Sequence, residues 1–195
     1  MKPNCPTRDE AIELLHEYTK TDSLRRHALG VEQAMRKMAE KYDGNPDEWG
    51  ITGLMHDFDY EKYPSMEDHP FRGNEILKEK GYPKSITQAI MGHANYTGVS
   101  RDTDMAKALF AVDELTGFIF AVTYVRPSKS IFEVKPKSVK KKLKQKSFAA
   151  SVIREDIFQS IEELEVDMTE HIQFVIDALK EKADVLGLKG SVESA

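Results

Sequence analysis

The stretch ITGLMHDFDY, residues 51–60, carries one histidine and two aspartates at the end of an apolar run. Residues 51–55 are apolar or small, as expected for a buried helix, and His56, Asp57 and Asp59 follow within four positions. Burial of such side chains costs free energy unless they are paired or bind a ligand. The stretch therefore indicates either a helix that has emerged into water or side chains that bind a ligand.

Length and composition indicate a soluble, single-domain protein. The chain has 195 residues, 40% hydrophobic and 31% charged, and a chain of this size can bury a core without disulfides. Its one cysteine, Cys5, excludes an internal disulfide, so we expect a reducing compartment. The N-terminus lacks a signal-peptide pattern, and the longest apolar stretch, GFIFAV, is too short to span a bilayer. We therefore expect a cytoplasmic protein without membrane contact.

The spacing of apolar residues predicts an all-α fold. Thr7 and Glu10 form a capping-box pattern, and Asn45 followed by Pro46 predicts the start of the helix that leads to His56. A short extended piece is expected only at residues 131–134. We expect helices at about residues 7–19, 24–38, 46–56, 71–80, 83–93, 104–125, 138–151, 154–164 and 167–186, with Gly187 as the last C-cap.

Charge is distributed unevenly along the chain. Residues 126–146 contain nine Lys or Arg and one acid, Glu133, which gives this segment a charge of +8 and leaves −13 for the remainder. A basic segment on an acidic body suggests an anionic partner. The lysine run KKKLKQK is also explained as a solvated helix face, so the role of residues 135–146 stays open.

Three ionisable residues fall on apolar helix faces. Asp113 lies in the middle of an apolar stripe, where it either pairs with a polar group or binds a cation. His27 and His93 continue the apolar stripes of their helices, where a lone histidine is commonly a satisfied core residue. His16 and His171 lie in strongly charged helices, and we expect them to be surface or incidental core residues.

Together with His56 and Asp57, these side chains form a set of imidazole and carboxylate ligands. Such a set suits Mn, Fe, Co, Ni or Zn, and the absence of nearby cysteine disfavours a closed structural zinc site. Ligands spread over four or five helices leave coordination positions open for water and substrate. The combination therefore favours catalysis.

The order His27, His56–Asp57, Asp113 resembles the HD superfamily of metal-dependent phosphohydrolases. The similarity includes RRHALGVEQAMRKMAEKYDGNPDEWGITGLMHDFDY, residues 25–60, with its HxxGV histidine helix and its GLMHD doublet. The later segments HPFRGNEILKEKGYP and AIMGHANYTG are similar to the HDIG-type subset, which has further histidines at these places. The resemblance implies an all-α HD-domain helical bundle, here with additional C-terminal helices.

We expect one HD domain over residues 1–195. Its core would cover about residues 20–125, where the resemblance lies, followed by a basic connector at about 126–147. Further helices at about 148–188 would complete the core or an interface.

The resemblance also implies a set of metal ligands. The first ion would be bound by His27, His56, Asp57 and Asp113. In HD proteins with two metals the aspartate of the doublet bridges, which implies that Asp57 is shared with a second ion bound by His69 and His93.

The chain departs from the HDIG pattern after the doublet, where it reads HDFDY. Some HD nucleotidases have a glutamate three residues after the aspartate, and this chain has Tyr60 there, so that general acid does not carry over. Asp59 is a candidate for supporting a ligand from outside the coordination sphere, and is otherwise a loop residue.

The implied activity is hydrolysis of a small phosphorylated metabolite or nucleotide by metal-activated water, with one or two divalent ions (Mn, Fe, Co, Ni, Zn or Mg). Candidate contacts to the substrate phosphate are Arg126 and Lys129, which follow the Asp113 helix, and Lys62 and Arg72 beside the other ligand segments.

Other functions fit the same residues. One is a metal- or nucleotide-binding regulator without catalysis, and another is an HD-type diiron oxygenase. A nucleic-acid partner is disfavoured by the acidic remainder and by the lack of an aromatic stacking pattern. The sequence leaves the oligomeric state open.

Overall fold

A computed structural model describes residues 6–190, so that residues 1–5, including Cys5, and residues 191–195 lie outside the described residues. Residues 6–190 form nine α-helices, two short 3-10 helices (Asn95–Thr97 and Ile131–Glu133) and no β-strand, which confirms the all-α prediction. The helices are α1 Arg8–Tyr18, α2 Asp22–Lys41, α3 Pro46–Met55, α4 Phe71–Glu79, α5 Lys84–Gly92, α6 Asp104–Tyr124, α7 Pro136–Leu143, α8 Arg154–Leu164 and α9 Met168–Lys180.

Two predicted helix starts are confirmed by their capping hydrogen bonds. The Thr7 side chain accepts from the Glu10 N–H, and the Glu10 carboxylate accepts from the Thr7 N–H in return. Asn45 Oδ1 accepts from the backbone N–H of Asp47 and Glu48, with Pro46 at the first helical position. These caps fix where α3 begins and therefore where His56 lies at its other end.

Helices α2 and α3 pack closely because Gly53 lies at their contact. A Cβ atom at this position would lie 2.8 Å from the Val31 carbonyl oxygen and 2.9 Å from Met35 Cγ. Such distances are too short for a side chain, so glycine is required for the approach. The close packing brings the end of α3 next to His27 on α2.

Helix α6 is the central element of the bundle. Buried residues occur on all sides of it, and it contacts α2, α3, α5, α7, α8 and α9. A helix that is apolar all round is expected in the interior of a bundle. One contiguous hydrophobic core draws residues from all nine helices, including Ile157 of α8 and Val175 of α9. The central position of α6 places Asp113 inside the protein.

The predicted helix at residues 138–151 is wrong in its extent. Helix α7 ends at Leu143, and turns follow up to α8. The guanidinium of Arg154 donates hydrogen bonds to backbone carbonyls in this region and so stabilises an irregular chain. The acceptors are the carbonyl oxygens of Leu143, Gln145, Phe148, Ala149 and Val152.

Three smaller boundaries also differ from expectation. Residues 131–133 form a 3-10 helix in place of an extended piece, and α9 ends at Lys180, with turns up to Gly187, whose φ is +69°. Helix α2 starts at Asp22, before the predicted residue 24, and the distant Glu61 carboxylate accepts from the N–H groups of Lys20 and Thr21, which directly precede the helix. Among the helices of residues 6–190, none has the length and apolar character needed to cross a bilayer.

Candidate metal centre

His56 and Asp57 lie where α3 ends and the chain turns into the loop before α4. His56 is fully buried, and its Nδ1 is 2.7 Å from the Gly53 carbonyl oxygen. Because a carbonyl can only accept, Nδ1 carries the proton and Nε2 carries a lone pair in the neutral ring. That Nε2 lies 3.1 Å from Asp113 Oδ1 and 3.5 Å from Asp57 Oδ2.

Asp113 and His27 complete a first group of ligand atoms. Asp113 Oδ1 lies 3.0 Å from His27 Nε2. Candidate ligand atoms of His27, His56, Asp57 and Asp113 all lie within 4.8 Å of one another. The bundle thus brings together residues of α2, the end of α3 and α6 that are separated by up to 86 positions in the chain.

A second group shares Asp57. Its Oδ1 lies 3.1 Å from His69 Nε2 and 3.3 Å from His93 Nε2. His93 lies at the C-terminus of α5, where its Nδ1 donates to the Ile90 carbonyl at 2.5 Å. The ligand atoms of Asp57, His69 and His93 also lie within 4.8 Å of one another. Asp57 is therefore placed between the two groups.

Asp59 supports the His69 ring through Nδ1, the ring nitrogen that does not face Asp57. Its buried carboxylate accepts from His69 Nδ1 at 2.8 Å and from the Gly73 N–H at 2.8 Å. A Cβ atom at Gly73 would lie 2.6 Å from Asp59 Cγ, so glycine is needed for this approach. Carboxylates that orient a histidine ligand in this way are common around protein-bound metals. The hydrogen bond places the Asp59 carboxylate against the His69 ring, and its supporting role toward a metal stays a prediction.

This arrangement of ring nitrogens fits a divalent cation. In His56, His69 and His93 the Nδ1 proton is donated away from the centre, so three Nε2 lone pairs point at carboxylate oxygens. Lone pairs of nitrogen and oxygen at 3.1–3.5 Å repel each other unless a proton or a metal ion lies between them. Neutral imidazole and carboxylate are also the ligands that first-row divalent metals prefer.

The pKa values of the cluster reflect the attraction between its histidines and its carboxylates. Burial alone would lower the pKa of His56, but the charges of Asp57 and Asp113 raise it well above its usual range. The pKa of His69 is raised to about 9, because hydrogen bonds to Asp57 and Asp59 outweigh the effect of burial. Burial would raise the pKa values of Asp57 and Asp113, yet the neighbouring histidines hold both well below the usual range. The charged forms of the two carboxylates are thus stabilised by the histidines beside them.

Two of the four predicted phosphate contacts lie away from the cluster. Arg126 follows Asp113 by thirteen residues along α6 and its end, which corresponds to roughly 20 Å of helix. Its Nε lies 3.5 Å from Glu133 Oε2. Lys129 lines a surface cavity with Tyr124 and Gly190 at the same end of α6. Helix α6 thus separates both cations from Asp113 along the chain, and their role as phosphate contacts stays a prediction.

The other two predicted phosphate contacts, Lys62 and Arg72, follow the ligand segments and contact neighbouring side chains. Lys62 Nζ lies 4.5 Å from the centre of the Tyr18 ring, and Arg72 Nε donates to Asp68 Oδ1 at 3.1 Å. Both side chains are exposed. Their role as phosphate contacts stays a prediction.

Sequence reasoning missed Glu114, which follows Asp113 directly. Its carboxylate accepts from the Ile153 N–H at 3.2 Å, and this hydrogen bond ties α6 to the start of α8. Burial, together with the charge of Asp113, raises the pKa of Glu114 to about 8. A second acid inside the apolar pattern of residues 104–125 was the available signal.

Tyr96 was also missed. Its hydroxyl donates to the His69 carbonyl oxygen at 2.8 Å. Partial burial and the charges of Asp57 and Asp59 raise the pKa of Tyr96 to about 12. Nothing in the spacing of the sequence distinguished this tyrosine from an ordinary loop residue.

The remaining two histidines do not join the cluster. His16 is exposed on α1, and His171 is buried on α9, where its Nε2 donates to the Ala111 carbonyl. These positions agree with their interpretation as surface and incidental core residues.

The fold and site together define an all-helical domain with a buried cluster of histidines and aspartates that is suited to hold metal. Comparison with protein families identifies the same part of the chain. A family model described as HD domain matches residues 24–117, which are 94 of the 195 residues and include His27, His56–Asp57, His69, His93 and Asp113. The match supports placing this segment in the HD superfamily, whose members are usually metal-dependent hydrolases. Comparison with curated proteins and with solved structures found no significant match.

Proposed function

We propose that this protein is a metal-dependent phosphohydrolase that acts on a small phosphorylated metabolite or nucleotide. One observation carries the proposal: three histidines present Nε2 lone pairs to the carboxylates of Asp57 and Asp113, an arrangement that a divalent cation satisfies. The HD-domain match supports it, because the family is usually hydrolytic.

The residues that would hold the cofactor fall into the two groups that share Asp57. His27, His56, Asp57 and Asp113 would bind one ion, and Asp57, His69 and His93 a second. The chemistry supplied by a bound divalent ion is activation of water as a nucleophile and compensation of negative charge on the phosphoryl group.

The chain contributes orientation. The Gly53 and Ile90 carbonyls and the Asp59 carboxylate fix the rings of His56, His93 and His69, so that each presents Nε2 to the centre. Fixed ligands reduce the reorganisation needed when charge develops on the substrate. His27 and Asp57 keep 20% and 25% of their side-chain surface exposed, which would give a substrate access to the centre.

The test combines metal analysis with a phosphate-release assay. Protein purified without added metal is analysed for bound ions, and is then assayed with phosphomonoesters, dinucleoside polyphosphates and phosphodiesters in the presence of each candidate metal. We expect phosphate release from at least one class, lost on chelation and restored by metal. A protein that binds metal and hydrolyses none of these compounds contradicts the proposal.

The same samples separate the alternative functions. Tight binding of metal or nucleotide without turnover indicates a regulator. Bound iron with substrate-dependent oxygen consumption indicates an HD-type oxygenase, because the same ligands suit a diiron centre.

A further inference from the structure

Two tyrosines lie against His69 on the solvent side of the cluster. The Tyr60 ring lies 5.3 Å from the His69 ring, centre to centre, and the planes are inclined at 82°. The Tyr96 hydroxyl donates to the backbone carbonyl of His69. Tyr60 is 41% exposed and Tyr96 is 42% exposed, so both keep much of their surface in water.

Hydrogen bonds hold the chain in place at both tyrosines. Tyr96 belongs to a 3-10 turn whose neighbour Asn95 donates to Asp156 on α8 and accepts from Arg101. Tyr60 immediately follows the buried Asp59 in a turn closed by the hydrogen bond from its N–H to the Asp57 carbonyl. An edge-to-face contact occupies at most one face of the Tyr60 ring, so at least one face is free of His69. Rigid aromatic surfaces of this kind lose little entropy when a ligand packs on them.

Because both tyrosines contact His69, a ring-bearing phosphate ester is a molecule of the right kind to contact the centre and these rings together. His69 is itself a proposed metal ligand, with its Nε2 3.1 Å from Asp57, so each tyrosine contacts a proposed ligand directly. In a nucleoside monophosphate, the phosphoryl group and the planar ring are separated by a single pentose. With its phosphoryl group at the centre, such a molecule would therefore place its planar ring near the tyrosines beside His69.

We infer that Tyr60 and Tyr96 form a stacking surface for a planar ring of the substrate, so that the centre prefers nucleoside phosphates to phosphate esters without a ring. The inference rests on the proposed phosphohydrolase function and adds the substrate class. Aromatic side chains recognise bases through their faces and tolerate different bases, because every base has a π-face.

The test compares substrates that differ only in the ring. Metal-loaded protein is assayed with adenosine 5′-monophosphate, uridine 5′-monophosphate and ribose 5-phosphate, and kcat and KM are measured separately. The ratio of kcat/KM for a nucleotide to that for ribose 5-phosphate should be about tenfold or more. In Tyr60→Ala and Tyr96→Ala the ratio should fall about tenfold, mainly through KM.

Matched variants separate the ring from other roles. Tyr60→Phe and Tyr96→Phe keep the ring and should keep the ratio, although Tyr96→Phe loses the hydroxyl bonded to His69. Tyr124→Ala removes a tyrosine of similar exposure, 39%, at the far end of α6 and should leave the ratio unchanged. Circular dichroism checks that the alanine variants are folded.

The outcomes separate this inference from the proposed function. Hydrolysis with a ratio near one, or a ratio unchanged by both alanine substitutions, overturns the stacking surface and leaves the phosphohydrolase proposal standing. If the protein binds metal but releases no phosphate, calorimetric titration with the two nucleotides and ribose 5-phosphate tests the inference through binding. Ring-dependent binding that weakens in the alanine variants then supports the stacking surface alone, and binding without ring dependence overturns it.

Discussion

Two kinds of histidine contact the central helix α6. His27 and His56 face the Asp113 carboxylate at 3.0 and 3.1 Å. His171 of α9 is 1% exposed and donates to the Ala111 carbonyl at 2.9 Å, while its Nδ1 has no hydrogen-bond partner among residues 6–190. Ala111 precedes Asp113 by only two residues, so one helix serves two different environments.

The difference shows that burial alone does not make a metal site. Burial lowers the pKa of His171, because no carboxylate compensates a charged ring there. At His56 the same effect of burial is overcome by Asp57 and Asp113, and the pKa is raised. A histidine opposite carboxylates requires a cation or a proton, whereas a histidine opposite a carbonyl is satisfied when neutral.

The largest expected effect comes from removing the shared carboxylate. In Asp57→Ala, His93 faces no carboxylate and resembles His171, while both proposed ion groups lose a ligand. We expect metal binding to fall below detection and metal-dependent activity to be lost, with a helical circular dichroism spectrum retained. Metal content after dialysis and phosphate release are the measurements.

Asp68→Ala provides the control for this variant. Asp68 lies in the same loop and pairs with Arg72 at the surface, so its removal should leave the metal content intact. Full activity in Asp57→Ala would show that the cluster is a set of ion pairs and that the proposed ligands have no catalytic part.

The next effect distinguishes the two groups that share Asp57. His69→Ala removes one ligand of the second group and leaves His27, His56 and Asp113 in place. If the protein binds two ions, this variant should bind one, and the stoichiometry from metal analysis should fall by half. A wild-type protein that binds a single ion, with content unchanged in His69→Ala, would remove His69 and His93 from the ligand set.

A smaller effect is expected from the residue behind His69. In Asp59→Asn the side chain keeps its shape but loses its negative charge. It also loses one of the two oxygens that accept from His69 Nδ1 and from the Gly73 N–H. Loss of such a supporting carboxylate typically weakens metal binding by about 10- to 100-fold. Competition with a chromogenic chelator measures the affinity, and Asp68→Asn is the matched surface substitution. An affinity within about twofold of wild type would contradict the supporting role.

Much of this picture follows from the sequence. Periodicity and caps predicted the helices well, since Thr7 and Asn45 form the predicted hydrogen bonds. The polar residues on apolar faces, His27, His93 and Asp113, are brought together with the His56–Asp57 doublet, because positions that face the core of one bundle converge. The local pattern thus predicted which side chains point into the core.

The parts that failed depend on contacts between distant residues. The irregular chain after α7 has its carbonyls bonded by Arg154, and the chain that enters α2 is bonded by Glu61, which is 40 positions from Thr21. The expected contact of Arg126 with the substrate phosphate rests on chain order alone. Helix length places that residue roughly 20 Å along the chain from Asp113, and its role stays a prediction.

The smallest expected effect tests the other side of the comparison, at His171. Because its pKa is lowered from 6.5 in the folded protein, the unfolded chain binds a proton there at a pH where the folded protein does not. Protons therefore favour unfolding, and the contribution of His171 to stability is complete above pH 6.5 and falls as the pH decreases below it. In His171→Gln the amide nitrogen can still donate to Ala111 but does not titrate. We expect the free energy of unfolding of the wild type, measured with urea, to decrease more steeply between neutral and mildly acidic pH than that of His171→Gln. Parallel curves would mean that His171 is protonated equally in both states and that its burial does not set its charge.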